Sequence, residues 1–254
     1  MKNFALFAGC GAVVVSALLA CSSASEAPQS SSGGPDKDAG PQRDGSIYDS
    51  AVSPESGLGQ LLFRPDRVYT GTDGTHTFKV PIAVYDSDSD LAITPSDGAA
   101  LTLTKTTLKN PVDPDGITDN GKYYLVTAKK AGTFTLTATS KGRSTTASVT
   151  ISSYDAARYE IGRARYEAAG TGADRPCASC HRNGAAIDHS PAALATATDQ
   201  EIGIIITTGV KPGPSVIKLP PSEPAGSQHK WNVTDPQTDG LVTFLRGLDP
   251  RGFQ

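Results

Sequence analysis

The chain has 254 residues, a formal net charge of −3 and 37% hydrophobic residues. This length has room for more than one folded domain. The near-neutral charge, with no basic stripe, argues against a nucleic-acid partner.

The first twenty residues have the pattern of a secretion signal. Lys2 precedes a mostly apolar run from Phe4 to Ala20, which is too short and too interrupted by Gly and Ser for a membrane span. The ending Leu18-Leu19-Ala20-Cys21 resembles the lipobox of bacterial lipoproteins. That resemblance implies a signal peptide over residues 1–20 and acylation of Cys21, whereas Cys10 is removed. The alternative is an ordinary cleaved signal followed by an incidental cysteine.

Residues 21–58 are rich in Ser, Pro, Gly, Asp and Ala and have almost no large apolar side chains. Such a composition predicts a disordered tether. After loss of Lys2 the mature chain has 22 basic and 26 acidic residues, and the tether's two basic and six acidic residues account for the whole imbalance. Ser22 and Ser23 after the cysteine resemble lipoproteins sorted to the outer membrane, on its periplasmic or surface face.

Residues 59–153 alternate short Thr-, Val- and Tyr-rich runs with turn residues. The period of two and the spacing of the turns predict about seven strands in a β-sandwich. The segments Ala131–Thr139 and Ala147–Ile151 resemble the closing hairpin of bacterial Ig-like domains. That resemblance implies a spacer or adhesion module.

Two polar features of this region are candidate ligands. Asp86, Asp88 and Asp90 alternate as in a calcium loop but lack the Gly and Glu of an EF-hand, so a solvated connection between strands is favoured. His76, between two threonines, is expected on the sheet surface.

After Ser153 the period changes to that of a helix. A first helix is predicted from Tyr154 to Ala169, with Ser153 as N-cap, a second from Asp199 to Thr207, and a third from Asp235 to Leu248. In the first helix the apolar face comprises Ala157, Ile161, Ala164 and Ala168. Residues 154–254 are therefore predicted to form a small all-α domain, which makes the chain a multidomain protein.

Cys177-Ala178-Ser179-Cys180-His181 is a C-x-x-C-H motif, the pattern of covalent haem attachment. Cys177 and Cys180 are spaced to form thioethers with the two haem vinyl groups, and His181 is the proximal iron ligand. A thioredoxin-like redox pair would need a βαβ context, and a zinc site would need a second ligand pair. Neither is found in the sequence.

The whole stretch after Tyr154 resembles the class I cytochrome c family in its order of helices and motif. Gly162-Arg163-Ala164-Arg165-Tyr166 matches the family's Gly-x-x-x-aromatic pattern, in which the small residue lets the terminal helix cross closely. The segment Leu241–Leu248 matches the family's last helix. The resemblance implies one covalent haem c as cofactor.

The family's usual sixth ligand is methionine, but the chain has only Met1, which is lost with the signal. His229 lies near where the family places that methionine and is the predicted sixth ligand, with Trp231 packed against the haem. His189, Lys230, another weak ligand and an open site are the alternatives.

The predicted function is a lipid-anchored monohaem c-type cytochrome that carries single electrons to or from a redox protein in the bacterial envelope, and not an enzyme. A second imidazole in place of methionine lowers the haem potential. The rival functions are an open-site peroxidase or gas sensor, and an Ig-like binding module with an accessory haem. A subunit role in a larger oxidoreductase is also compatible with the sequence.

Overall fold

The computed structural model describes residues 60–109, 120–170, 175–181, 189–211, 215–217, 219 and 228–253. All of these residues belong to one compact unit. The signal peptide, Cys21 and the tether lie outside the described residues. None of the helices in these ranges has the length and apolar character needed to cross a membrane.

Eight strands between residues 60 and 153 form two four-stranded sheets in the described part of the chain. One sheet has the order β1-β3-β6-β5 and the other β2-β8-β7-β4. Neighbouring strands are antiparallel except β2 and β8, which are parallel. The strands are β1 (Leu62–Arg64), β2 (Arg67–Thr72), β3 (Phe78–Tyr85), β4 (Ala92–Pro95), β5 (Leu101–Thr106), β6 (Lys122–Ala128), β7 (Gly132–Ser140) and β8 (Arg143–Ser153).

The two sheets pack face to face around a single apolar core. Every second residue of β8 points inward, as the period of two predicts, and Val149 is fully buried. Val68, Phe78, Val126 and Leu136, from both sheets, are also fully buried. The predicted sandwich is therefore confirmed, with eight strands in the described residues where the sequence predicted about seven.

Five helices and one short hairpin follow in the described residues. They are α1 (Ala156–Glu167), α2 (Ala178–His181), α3 (Pro191–Leu194), α4 (Asp199–Thr208) and α5 (Asp235–Arg246), with β9 (Val210–Lys211) and β10 (Ser215–Val216) between α4 and α5. The sequence predicted α1, α4 and α5 to within two residues at each end, but not α2, α3 or the hairpin.

Two details predicted for α1 are wrong. Its N-cap is Asp155, whose carboxylate accepts a hydrogen bond from the Ala157 amide, whereas Ser153 still belongs to β8. Its buried face contains Gly162 and Tyr166, and Ile161 of the predicted apolar face is 40% exposed. The many alanines made the helix periodicity weak, so the face was placed on the wrong side.

Gly162 explains which face of α1 is buried. A Cβ atom built on Gly162 would lie 1.8 Å from the carbonyl oxygen of Gly240, and one built on Gly240 would lie 2.7 Å from the Gly162 nitrogen. The backbones of α1 and α5 thus touch where they cross. This confirms the expectation that the glycine of the Gly-x-x-x-aromatic pattern allows a close crossing.

The prediction of a separate all-α domain, and with it a multidomain chain, is wrong. Strands account for 37% and helices for 26% of the described residues, which form a single β-rich domain. The helices pack directly on the sandwich because polar contacts connect them. Arg246 of α5 donates a hydrogen bond to the Tyr69 carbonyl on β2, and Phe253 after α5 packs on Tyr123 of β6.

The acidic loop after β3 is neutralised by the protein itself. Asp88 forms ion pairs with Lys141 at 2.8 Å and Arg143 at 2.9 Å, and the hydrogen bond from Lys141 lowers the pKa of the Asp88 carboxyl. Asp90 accepts a hydrogen bond from the Ser140 hydroxyl at 2.7 Å. This arrangement favours a solvated connection between strands over a calcium loop.

Candidate functional site

The C-x-x-C-H motif forms the short helix α2. The amides of Cys180 and His181 both donate to the Cys177 carbonyl, at 3.2 and 3.3 Å, and the Ser179 hydroxyl donates to the Pro176 carbonyl at 2.7 Å. Cys177 is 8% exposed, Cys180 is partly exposed, and neither forms a disulfide in the described residues. One helical turn therefore presents two thiols and the buried imidazole of His181.

Contacts from distant parts of the chain hold α2 at both ends. Before the helix, the indole NH of Trp231 donates to the Arg175 carbonyl at 3.0 Å. After it, the guanidinium of Arg251 donates to the His181 carbonyl at 2.7 Å, and the Arg251 amide donates to the Ser190 hydroxyl. The motif is thus anchored to the segments that flank α5.

Helix α4 positions His229. A capping box between Thr198 and Glu201 begins this helix, and Gly209 ends it in the left-handed conformation, with φ of 71°. A Cβ atom on Gly209 would lie 2.2 Å from the carbonyl oxygen of His229, so only glycine lets the two segments approach this closely. The Trp231 amide then donates to the Ile206 carbonyl at 3.1 Å, which fixes His229 against the end of α4.

Three histidines from separate segments meet in one pocket. The rings of His181 and His189 are stacked with centroids 3.3 Å apart, and the His229 ring lies edge-on to His181 at 6.2 Å. One ring nitrogen from each residue lies within 4.8 Å of the others. The remaining pocket walls are mostly apolar and come from Tyr166, Cys177, Ile206, Trp231, Leu241 and Leu245.

Burial keeps two of these imidazoles neutral. It holds the pKa of His189 well below its usual value, and the nearby His181, His229 and Arg251 lower that pKa further. Burial also lowers the pKa of His229. The Nδ1 atoms of His189 and His229 are buried and have no hydrogen-bond partner among the described residues. Because an unpaired buried polar atom costs free energy, a ligand that bound these nitrogens would remove that cost.

The structure brings together most residues that the sequence singled out. Cys177, His181 and His229 line one pocket, with the alternative ligand His189 beside them. Trp231 packs on His229 with ring centroids 4.5 Å apart. Lys230 is exposed, so its side chain is directed away from the pocket. Sequence reasoning missed Arg251, since a single arginine near a chain end carries no pattern.

The donor set is chemically suited to a covalent haem. Two thiols outside any disulfide and an adjacent imidazole are what thioether attachment and iron ligation would need, and His229 would supply a second imidazole. The stacking of His181 on His189 at 3.3 Å leaves no gap for a macrocycle between these two rings. His229, rather than His189, would therefore supply the second imidazole to a haem held by His181.

Comparison with known proteins does not identify a family for this chain. It matches no family model and no curated protein. Structural matches include domains 1–6 of the surface layer protein SbsC (15% identity, 39% of this chain and 13% of that chain, TM-score 0.28). Two others are SbsC residues 31–844 (15% identity, 37% and 13%, TM-score 0.26) and SbsC domains 4 and 5 (13% identity, 38% and 53%, TM-score 0.26). This chain thus spans a minor part of the first two and about half of the third.

Proposed function

We propose that this protein is an exported, lipid-anchored, monohaem c-type cytochrome that passes single electrons within the bacterial envelope. The observation that carries the proposal is the pairing of the C-x-x-C-H helix with buried imidazoles contributed from elsewhere in the chain. A surface motif that arose by chance would have no reason to lie beside unpartnered buried nitrogens.

The assignment of roles follows from position. Cys177 and Cys180 hold the haem through thioethers, and His181 is the proximal ligand. His229 is the sixth ligand, because it enters the pocket from a different segment and its Nδ1 atom has no partner in the described residues. When bound, the haem supplies a one-electron couple at its iron.

The surrounding residues set the properties of that couple. The apolar walls exclude water, and burial of His229 keeps its imidazole neutral, which is the form that binds a metal. Two imidazole ligands give a lower potential than imidazole with methionine. Arg251, which donates to the His181 carbonyl, fixes the orientation of the proximal residue.

Export and anchoring complete the proposal. The signal at residues 1–20 and the haem motif indicate the same compartment by separate routes, since covalent haem attachment in bacteria takes place outside the cytoplasm. Acylated Cys21 would hold the protein at the outer membrane, and a redox protein in the envelope would be its partner. Replacing Cys21 with Ser should move the protein from the membrane fraction to the soluble fraction; retention in the membrane would contradict the anchor.

The haem is tested on the full chain produced in a bacterium that matures c-type cytochromes. Intact mass should show one haem added to the mature chain, and Cys177→Ser/Cys180→Ser should abolish the addition. EPR at low temperature, with near-infrared magnetic circular dichroism, should show low-spin ferric iron with two imidazole ligands. This signal should be lost in His229→Ala and kept in His76→Ala, a partly exposed histidine bonded to Asp73.

The same measurements separate the rival functions. High-spin iron in the wild type would rule out His229 ligation and favour an open-site peroxidase or gas sensor. Absence of any covalent haem in the wild type would overturn the cytochrome proposal altogether and leave the sandwich as the functional part.

A further inference from the structure

We propose that the haem-free chain binds one divalent first-row transition metal ion, of the zinc or cobalt type, through His181, His189 and His229. The inference concerns the protein before haem attachment and does not depend on the cytochrome assignment. It rests on the arrangement of the three imidazoles, which the sequence motif alone does not imply.

The geometry is close to that of a three-histidine metal site. In tetrahedral zinc sites the nitrogens lie about 2.0–2.1 Å from the ion, which places them roughly 3.3 Å from one another. Here the ligand atoms of the three residues lie within 4.8 Å of one another. Closing this difference takes shifts of about 1.5 Å, and the stacked rings of His181 and His189 must also tilt apart so that the lone pairs in their ring planes converge on one ion.

The nitrogens are also available for binding. The Nδ1 atoms of His189 and His229 are buried and unpartnered within the described residues. A metal ion would accept a lone pair from each ring, and so remove the free-energy cost of the unpaired nitrogens.

The donor chemistry selects the class of ion. The cluster of described residues consists of three imidazoles and contains no carboxylate. Imidazole nitrogen suits zinc, copper, cobalt and nickel, whereas calcium and magnesium prefer oxygen ligands. A three-histidine site also leaves a fourth tetrahedral position, and Cys177 lines the same pocket.

Metal and haem are mutually exclusive occupants in this arrangement. His181 is the proximal haem ligand in the proposed function, and it belongs to the three-histidine set as well. His189 distinguishes the two states, because the metal site needs it and the predicted axial pair of His181 and His229 does not.

The test uses the full chain carrying Cys177→Ser/Cys180→Ser, so that neither haem nor thiolate contributes. Titration with Co²⁺ should give the visible d–d bands of nitrogen-ligated tetrahedral cobalt, saturating at one ion per chain. Added Zn²⁺ should displace it. In this background His189→Ala and His229→Ala should each weaken binding by more than about 100-fold, since even outer-shell partners of metal sites are worth about 10- to 100-fold.

His76→Ala in the same background is the matched control and should leave binding unchanged. Far-UV circular dichroism checks that each variant is folded, and His189→Phe, which fills the same space, replaces His189→Ala if that variant unfolds. If the chain did not bind Co²⁺, or if binding persisted when His189 was replaced, the proposed metal site would be wrong. A haem-loaded wild-type chain should not bind Co²⁺; His189-dependent binding there would refute the sharing of His181. Covalent haem is measured separately by mass, so the two proposals fail independently.

Discussion

Two buried polar clusters lie in the layer of helices, and they differ in how many of their hydrogen-bonding atoms have partners. One surrounds Arg246 of α5, which is fully buried between the helices and the sandwich. The other is the pocket formed by His181, His189 and His229. Both draw residues from separate segments of the chain, yet only in the first do all the N–H groups of the central side chain have acceptors.

All five N–H donors of Arg246 point at acceptors. The Asp199 carboxylate receives two of them, at 3.1 and 3.0 Å, and the carbonyl oxygens of Tyr69, Leu194 and Ala197 receive the others. The other oxygen of Asp199 accepts hydrogen bonds from Ser152 and Tyr154, so this carboxylate connects β8 to the start of α4. Burial raises the pKa of Tyr154, which therefore remains a donor.

The contrast separates a structural role from a binding role. A fully satisfied buried network needs no further ligand and helps to specify one arrangement of the elements around it. In the histidine pocket, two ring nitrogens are buried without partners, a state that costs free energy until something binds. Burial of polar groups thus indicates a structural role for the Arg246 cluster and a binding role for the histidine pocket.

The largest expected effect comes from removing the satisfied cluster. Arg246→Met should lower the free energy of unfolding by about 3–5 kcal/mol, since it leaves a partly buried Asp199 charge and three carbonyl oxygens unpaired. Urea unfolding of the haem-free chain measures this. Arg158→Met is the control, because Arg158 and its partner Asp239 are about half exposed, and such a pair contributes roughly 0–1 kcal/mol. Equal losses in both variants would contradict the assigned role of Arg246.

A smaller loss is expected at the crossing of α1 and α5, which supports one wall of the pocket. Gly162→Ala should cost about 1–3 kcal/mol, because its Cβ atom would lie 1.8 Å from the Gly240 carbonyl oxygen and force the helices apart. Gly203→Ala in α4 is the control. There the Cβ atom meets only the Thr238 methyl group at 3.4 Å, so the higher helix propensity of alanine should stabilise by up to about 1 kcal/mol. Urea unfolding of both variants measures these two changes in the free energy of unfolding. Stabilisation by Gly162→Ala would refute the close crossing of α1 and α5.

The sequence predicted the sandwich well because its signals are local. Period-two runs such as Phe78–Tyr85 and Gly132–Ser140 became strands, and the capping signals of α4 and α5 gave helix bounds correct to two residues. The separate all-α domain was wrong because packing of helices on sheets is not local. Nothing in the sequence indicates that Arg246 is buried, since arginine is normally exposed.

The candidate site also combines a feature that local sequence predicts with one that depends on non-local packing. The Cys177–His181 motif is a local pattern and was recognised as such, whereas the meeting of His189 with His181 depends on how Arg251 and Ser190 fold back onto the motif. Spacing in the sequence argues against a zinc site because no second ligand pair accompanies the two cysteines. Three histidines converging from separate segments provide a ligand set that spacing in the sequence does not reveal.

The smallest expected effect at neutral pH is in the pocket itself. In the haem-free, metal-free chain, His189→Phe should change the free energy of unfolding by less than about 1 kcal/mol, because an unpartnered imidazole is replaced by an apolar ring. At acidic pH the free energies of unfolding of the wild-type chain and of His189→Phe should differ. The folded state holds His189 neutral, since burial and the neighbouring His181, His229 and Arg251 lower its pKa, whereas the unfolded chain takes up a proton near pH 6.5.

Below pH 6.5 the unfolded wild-type chain therefore binds more protons than the folded chain. Its free energy of unfolding should fall by up to about 1.4 kcal/mol per pH unit because of His189. Full stability is present above that pH and is lost as pH decreases. His229, whose pKa is also lowered, is present in both chains, so the difference between them isolates His189. Urea unfolding at pH 7.5 and 5.5 in the presence of a chelator measures that difference. If the free energies of unfolding of the two chains had the same pH dependence, His189 would be solvated in the folded chain. Its ring would then be as accessible to protons as a polar group on the surface.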